Sequence, residues 1–172
     1  YIEFLITDLP FFCWPWRAVQ NGPNAYANEC FMDELAHAAG KDPLEFRLQN
    51  LKNNRRATRV LQTVAEKAGW GNPVPKGMGR GIAQHACFGT WIADVVDLSV
   101  DEKTGKIKVH KVVSAVDCGP VINPGPLVEQ IEGATILALS TALKEEVKFD
   151  KGGVASSNFG DYPIIRMSEV PE

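Results

Sequence analysis

Residues Ile92 to Val113, which read IADVVDLSVDEKTGKIKVHKVV, carry the strongest indication of the architecture of this chain. Apolar residues alternate in the first half of this segment, a charged turn ending in Gly105 follows, and the alternation resumes at Ile107. Period-two alternation on both sides of a turn is typical of two antiparallel strands. We therefore expect a long hairpin. The apolar face expected for its first strand, interrupted by Asp94, consists of Ile92, Val96, Leu98 and Val100.

Three helices are expected before this hairpin. The first spans about 24–39 and ends before Gly40, a residue that favours the left-handed conformation found after helices. The second begins at Asp42-Pro43-Leu44-Glu45, where Asp42 is the N-cap, Pro43 the first helical residue, and Glu45 can reach back to the cap. The third spans about 57–68 and ends at Gly69. Apolar residues at helical spacing support the first helix (Ala27, Cys30, Phe31, Leu35, Ala38), the second (Leu44, Leu48, Leu51) and the third (Val60, Leu61, Val64, Ala65, Ala68).

A fourth helix is expected at about 126–144, after the turn Asp117-Cys118-Gly119 and Asn123-Pro124. Residues 133–143 carry no charge, and a helix that is apolar all round is expected to be buried. Residues 1–7 are predicted to form a strand, 8–16 an aromatic loop, and 145–155 a short hairpin that turns at Asp150-Lys151-Gly152.

These elements indicate an α+β fold in which a helical segment at 24–68 packs on a mostly antiparallel sheet. The Gly/Pro-rich connector from Gly71 to Gly81 divides the chain into residues 1–70 and 71–172, which we expect to form one compact unit. Because the chain opens at Tyr1 inside an apolar stretch, we expect it to be a fragment of a longer polypeptide.

The composition is that of a globular protein, with 172 residues of which 45% are hydrophobic and 23% charged. The net charge of −3 gives no electrostatic case for nucleic acid, and no apolar run reaches the ~18 residues that a membrane span needs. The basic residues Lys52, Arg55 and Arg56 are expected to be a solvated helix end. The four cysteines are too dispersed for a zinc or iron–sulfur site, and we expect them to be reduced and packed as small apolar groups.

Arg17 is the first candidate for chemistry, because it follows a Pro/aromatic loop and precedes a helix. Its neighbours Trp14 and Trp16 make an apolar wall, beside which an arginine is costly unless it meets a carboxylate, a phosphate or a ligand. The residues alone favour a simpler interpretation, a surface arginine stacked on Trp16.

Gln130 and Gly133 are the second candidate, because they share one face of the expected fourth helix. Gly133 removes a side chain, so a flat ligand could approach the backbone beside the Gln130 amide, which both donates and accepts hydrogen bonds. Helix–helix packing through Gly133, with Gln130 in solvent, is the alternative that the residues alone favour.

The histidines are weak candidates, since His37, His85 and His110 are far apart in sequence. Ordinary packing is the expectation for His85, and without a companion base it is not a nucleophile site. Gly79-Arg80-Gly81 lacks both the spacing and the following helix of a dinucleotide-binding loop. Asp117, Gly119 and Asn123 are expected to shape a turn.

The order of these motifs resembles the molybdopterin-binding large (beta) subunit of molybdenum hydroxylases, of the isoquinoline 1-oxidoreductase type within the xanthine dehydrogenase and aldehyde oxidase family. The matching segments are Trp16 through Glu29, the Gln130-Ile131-Glu132-Gly133 helix, the turn at Asp117 and Asn123, and 157–167. The resemblance implies that Arg17 lies near the molybdenum and that Gln130 and Gly133 contact the cofactor. Trp16 and Val19 would line the substrate pocket, and Val19, where xanthine-type members have an aromatic, weakens a purine substrate.

The resemblance also implies the reaction, which is hydroxylation of an N-heterocycle or oxidation of an aldehyde, with electrons passing to a [2Fe-2S] small subunit. The cofactor would be molybdenum-molybdopterin in its cytosine dinucleotide form. The family's catalytic base is a glutamate in a Gly-x-Gly-Glu segment that this sequence does not contain, and we do not nominate Glu172. No metal ligand is assigned within the chain.

We therefore expect the chain by itself to be inactive, to bind no cofactor tightly, and to need the remainder of the large subunit. Strand edges left unpaired by missing segments would favour self-association. The alternative is a non-catalytic assembly or interaction domain that keeps the scaffold. The residues leave cytoplasmic and periplasmic locations open.

Overall fold

The structure, a computed structural model, describes residues 13–172. The strand expected at 1–7 and residues 8–12 of the expected loop lie outside the described residues. The helices are α1 (Asn21–Ala38), α2 (Pro43–Asn50), α3 (Arg55–Ala68) and α4 (Pro124–Leu143); the strands are β1 (Met78–Cys87), β2 (Thr90–Val100), β3 (Ile107–Asp117), β4 (Phe149–Asp150) and β5 (Gly153–Val154). Helices beside antiparallel strands confirm the expected α+β class.

The ends of the helices follow the local sequence signals. One carboxylate oxygen of Asp42 accepts hydrogen bonds from the backbone amides of Leu44 at 2.9 Å and Glu45 at 3.1 Å, which confirms the N-cap of α2. The expectation that Glu45 reaches back to the cap was wrong, since its carboxylate accepts from Gln49 one turn later. Gly69 ends α3 with a φ of 66°, a conformation that glycine adopts without steric penalty.

The three long strands form one antiparallel sheet in the order β1-β2-β3, and this confirms the predicted hairpin. The residues predicted to form one apolar face of β2 do share a face, but it is the face opposite the core. The residues that face the core are Ala93 and Val95, which are 1% and 2% exposed. The register between β2 and β3 shifts because Asp97 pairs with Lys111 and Leu98 with Val109, which leaves His110 as an extra residue in β3 and changes the face to which the side chains of β3 point.

Helix α3 supplies the other half of this core. The buried side chains of α3 pack on one face of the sheet, and Leu44, Leu48 and Leu51 close the edge of the cluster as predicted. This face of the sheet contributes Ile82, Ala93, Val95 and Ala115, and α3 contributes Val60, Leu61, Val64 and Ala65. Helix and sheet thus share one core, while the division at residue 70 remains a prediction.

Helix α1 is held on its charged side. Arg47 of α2 is 1% exposed, and its guanidinium donates to Glu29 at 2.8 Å and to Asp33 at 2.6 Å. Glu29 also accepts the backbone N–H of Gln84, so α1 covers a donor at the free edge of β1. The apolar stripe that predicted the helix is exposed, because the ion pairs turn it away from the core; Phe31, for example, is 58% exposed.

The expectation that α4 is buried all round was wrong for the described residues. Ser140 is its one buried residue, and Val128 is 53% exposed. One side of α4 faces β3 across a groove of about 570 Å³ that Leu127, Ile131 and Ile136 help to line. The uncharged segment therefore keeps solvent contact on its other side.

The residues after α4 form a small hairpin and two 3₁₀ turns. Strands β4 and β5 pair around Lys151 and Gly152, as predicted. The turns are Phe159–Asp161 and Met167–Glu169, and residues 162–166 between them form no strand. At the end of the described chain, Glu172 pairs with the outer edge of β3 through the amide of Val112 and the carbonyl of His110.

Within residues 13–172, no helix combines the length and the apolar character that crossing a membrane requires.

Candidate functional site

Arg17 lies in a turn that two left-handed residues shape. The amide of Val19 donates to the carbonyl of Trp16 at 2.9 Å, and Ala18 and Val19 have φ values of 64° and 51°. Positive φ is uncommon outside glycine and is an outlier for a β-branched residue such as Val19. The turn therefore stores backbone strain at the position where the sequence predicted a functional arginine.

The side chains of this turn point into open space. Trp16 is 52% and Val19 49% exposed, and Arg17 is also exposed. Among residues 13–172, no carboxylate lies within 4.0 Å of the Arg17 guanidinium. Among residues 13–172, the cation–π contact is between Arg56 and Trp91. The predicted stacking of Arg17 on Trp16 is therefore not observed in the described part of the chain.

The turn is tied to the sheet through the first residue of α1. The side-chain amide nitrogen and the backbone amide of Asn21 both donate to the carbonyl of Ala18 at 2.9 Å. The side-chain oxygen of Asn21 lies 3.1 Å from Nε2 of His85 on β1. Since that oxygen is an acceptor, Nε2 of His85 is the donor.

Gln130 and Gly133 lie on the exposed side of α4. The helix begins at Asn123, whose side chain accepts from the amide of Gly125 at 3.2 Å. A Cβ added to Gly133 would meet no atom within 4 Å, so nothing in the described chain packs there. The helix–helix packing considered for Gly133 is thus not observed among residues 13–172.

The turn that contains Arg17 and the helix that contains Gln130 both start from the same end of the sheet. Asn21 contacts His85, which pairs with Ile92, and Ile92 in turn pairs with Val116 near the end of β3. The turn that leads to α4 begins there, at Asp117. At the opposite end of the sheet lies a second groove, which Val100 and Ile107 of the β2–β3 hairpin line together with Leu143 in the last turn of α4. The first turns of α4 therefore belong to the end that carries the Arg17 turn, although no direct contact in the described chain joins Arg17 to Gln130.

A salt bridge that was not predicted from the sequence stabilises the turn before α4. The guanidinium of Arg56 on α3 donates to both carboxylate oxygens of Asp117 and stacks 3.8 Å above the ring of Trp91. Arg56, together with the amide of Gly119, lowers the pKa of Asp117 to about 2. Arg56 is thus not a solvated helix end. Asp117 does bond the amide of Gly119, as predicted, but its main partner comes from 61 residues away.

Asp94 is a half-buried residue on the face of the sheet opposite α3. Burial raises its pKa, and a hydrogen bond from Ser114 partly offsets that effect. Its Oδ1 atom is buried without a hydrogen-bond partner among the described residues. The one sequence signal was the break that Asp94 makes in an apolar run.

No group of three His, Cys, Asp or Glu side chains within residues 13–172 is arranged to hold a metal ion. All four cysteines are free thiols, as predicted, but Cys13, Cys30 and Cys118 are exposed and do not pack as apolar groups. Arg80 pairs with Asp97 across the sheet at 2.6 Å, which gives the Gly79-Arg80-Gly81 segment a structural role.

Comparison with known proteins identifies the family. Residues 25–171 match the family model described as molybdopterin cofactor-binding domain. The chain is 39% identical over 173 residues to the B subunit of nicotinate dehydrogenase from Pseudomonas putida, and 36% identical over 150 residues to the beta subunit of isoquinoline 1-oxidoreductase from Brevundimonas diminuta. It is also 31% identical over 175 residues to a membrane-bound aldehyde dehydrogenase [pyrroloquinoline-quinone] of Gluconacetobacter polyoxogenes.

These alignments cover most of this chain but a small part of each relative. They include 90%, 86% and 91% of the chain, which spans 14%, 19% and 23% of the respective relatives. The family model and the order of motifs agree on one assignment: the chain belongs to the molybdopterin cofactor-binding domain family of molybdenum hydroxylases and related oxidoreductases.

Proposed function

We propose that this chain forms one wall of the cofactor site in the large subunit of a molybdenum-dependent oxidoreductase. The observation that carries the proposal is that the Arg17 turn and the first half of α4 lie at the same end of the sheet. Arg17, Gln130 and Gly133 would contact the molybdopterin cofactor, in its cytosine dinucleotide form. Trp16 and Val19 would face the substrate.

The residues present fit such a group. The Arg17 guanidinium is exposed and has no carboxylate within 4.0 Å in the described chain, so it can bind an anionic or oxo group without breaking an ion pair. Open space at Gly133 allows a flat ring to approach the helix backbone. The amide of Gln130 can then donate to and accept from a heterocycle edge.

When bound, the cofactor supplies two-electron oxidation coupled to transfer of an oxygen atom from water. Arg17 would hold the cofactor in place by charge-assisted hydrogen bonds, which are stronger than neutral ones. Gln130 would fix the orientation of the pterin plane, and Trp16 with Val19 would exclude water from an apolar substrate. The proton acceptor for the reaction would come from outside this chain, as would the iron–sulfur partner.

The substrate class that we propose is an N-heterocycle or an aldehyde. The relatives named for nicotinate, isoquinoline and nicotine support the heterocycle, and the one named for aldehyde supports the second. A non-catalytic assembly domain remains the alternative function, for which the same scaffold would suffice.

Two measurements test the proposal. The first is metal analysis of this purified chain, in which we expect far less than one molybdenum per molecule because the chain spans only 14–23% of the length of these relatives. One molybdenum per chain would contradict the expectation that the chain by itself binds no cofactor tightly. Light scattering of the same sample would show association if the part of the β3 edge that Glu172 leaves unpaired binds another copy, and a monomer at high concentration would contradict that expectation.

The second measurement uses the complete large subunit that we propose. Arg17→Ala and Gln130→Ala should lower its molybdenum content and its turnover with heterocycle and aldehyde substrates. Arg55→Ala, another exposed arginine, is the matched control and should leave both unchanged. Full molybdenum and full turnover in the Arg17 and Gln130 variants would reject the site, and a wild-type subunit that loads no cofactor would favour the assembly domain.

A further inference from the structure

The strained turn at Arg17 has a support that its own sequence does not provide. Ala18 and Val19 hold positive φ values that neither residue type favours, so the turn needs outside contacts to persist. Within the described chain, the contacts that reach its backbone come from Asn21, through two hydrogen bonds to the carbonyl of Ala18.

The orientation of the Asn21 side chain is fixed from the other direction. An asparagine amide can rotate to exchange its oxygen and nitrogen, and only one of the two orientations donates to Ala18. In the observed orientation the Asn21 oxygen lies 3.1 Å from Nε2 of His85, which is 64 residues away and half-buried on β1, and an N–H at this Nε2 stabilises that orientation over the reversed one. The backbone of His85 is itself held by the sheet, since this residue pairs with Ile92 of β2.

We propose that His85 and Asn21 are positioning residues for Arg17. His85 orients the Asn21 amide, Asn21 holds the carbonyl of Ala18, and the held turn presents the Arg17 guanidinium in one place. Sequence alone favoured ordinary packing for His85. The inference rests on the proposed function only for the identity of the group that Arg17 binds. The hydrogen bonds between His85 and Asn21 and between Asn21 and Ala18 exist without any ligand.

The test is limited trypsin cleavage of this 172-residue chain, because the Arg17–Ala18 bond lies inside the turn and is a trypsin site. The rate at this bond is divided by the rate at Lys151–Gly152, an exposed turn between β4 and β5. Proteolysis follows the population of opened backbone when opening is fast, and loss of one hydrogen bond changes that population by about two- to tenfold. We therefore expect His85→Ala and Asn21→Ala each to raise the ratio by that factor.

Three comparisons separate positioning from general loosening. His85→Gln keeps a side-chain N–H donor and should restore the ratio to within about twofold of wild type. His110→Ala removes a histidine that bonds Ser99 at the other end of the sheet and should leave the ratio unchanged. Adding His85→Ala to Asn21→Ala should have no further effect, because the two residues act in series.

Several results would overturn the inference. These are an unchanged ratio in His85→Ala, an equal acceleration at both bonds, a failure of glutamine to rescue, or a rise in His110→Ala of the same size. None of these outcomes depends on cofactor or turnover. If the cofactor site proves to be elsewhere, the conclusion that His85 and Asn21 position the Arg17 turn still holds. If that conclusion fails, the Arg17→Ala test of the proposed function is unaffected.

Discussion

Arg56 and Asp117 are separated by 61 residues, yet the guanidinium of the first donates to both carboxylate oxygens of the second, the shorter contact being 2.6 Å. This pair joins the start of α3 to the end of β3, and the ring of Trp91 lies 3.8 Å from the same guanidinium. The start of the turn that leads to α4 is therefore joined to the core by this ion pair.

The Asp117 pair should make stability sensitive to acid. Arg56 and the amide of Gly119 lower the pKa of Asp117 to about 2, below the ~3.9 of an unfolded aspartate. The stabilisation is therefore present above pH ~4 and is lost as the pH falls towards 2. Asp117→Asn should lower the thermal midpoint at pH 7 and reduce the dependence on pH below 4, which calorimetry between pH 2 and 7 would measure. Equal acid sensitivity in the variant and wild type would contradict this account.

Asp94 should have the opposite dependence. Burial raises the pKa of its carboxyl group above that of the unfolded chain, so the folded state binds a proton that the unfolded state releases first. Stability should fall as the pH rises above ~4, until the buried group is ionised. Asp94→Asn cannot ionise and should raise the thermal midpoint at pH 7 while leaving it nearly unchanged at pH 3. A lower midpoint at pH 7 would mean that the ionised carboxylate has a partner that stabilises it.

Arg47 should be one of the most sensitive polar residues of the fold. It is 1% exposed and donates to Glu29, Asp33 and two backbone carbonyls. Arg47→Met would leave two carboxylates facing each other without a cation, and breaking a buried ion pair in this way costs roughly 3–5 kcal/mol. We expect the lower end, since Asp33 is 47% exposed. Urea denaturation measures the loss.

The control for Arg47 is Arg55→Met, an exposed substitution expected to change stability by no more than ~0.5 kcal/mol. Combining Arg47→Met with Glu29→Gln should cost less than the sum of the two single losses, because the second change removes a carboxylate left unpaired by the first. Strict additivity would show that the two side chains do not interact.

Leu61 tests the core between α3 and the sheet. Its side chain is fully buried among Val64, Ile82 and Val95, so Leu61→Ala should destabilise the fold by about 2–5 kcal/mol. Arg59→Ala on the exposed side of the same helix is the matched control, with an expected change within ~0.5 kcal/mol. Urea denaturation measures both changes in the free energy of unfolding, and the slope of that free energy against urea concentration should be unchanged. Similar losses for the two variants would mean that the core lies elsewhere.

Local signals were enough to predict where most elements lie. The cap at Asp42, the stop at Gly69 and the alternation around residues 101–105 act over a few residues, so they can be read without knowing the fold. The same is true of the family, since a contiguous run such as Trp16 through Glu29 is visible in one dimension. Arg17, Gln130 and Gly133 were nominated from that run and from the α4 motif, and they remain to be tested.

Which face each element buries was not readable in the same way. The apolar stripe of α1 is exposed because Arg47 holds the opposite side, and the core face of β2 is the one that α3 covers. These outcomes depend on pairs such as Glu29 with Arg47, which lie 18 residues apart.

The order of residues along the chain was enough to establish the helices, the hairpin and membership of the molybdopterin cofactor-binding domain family, because those signals are local or follow one another in sequence. The contacts of His85 with Asn21 and of Arg56 with Asp117 became visible only once the chain was folded. A hydrogen bond or an ion pair acts over about 3 Å in space. Its partners therefore leave no pattern in the sequence when more than sixty residues separate them.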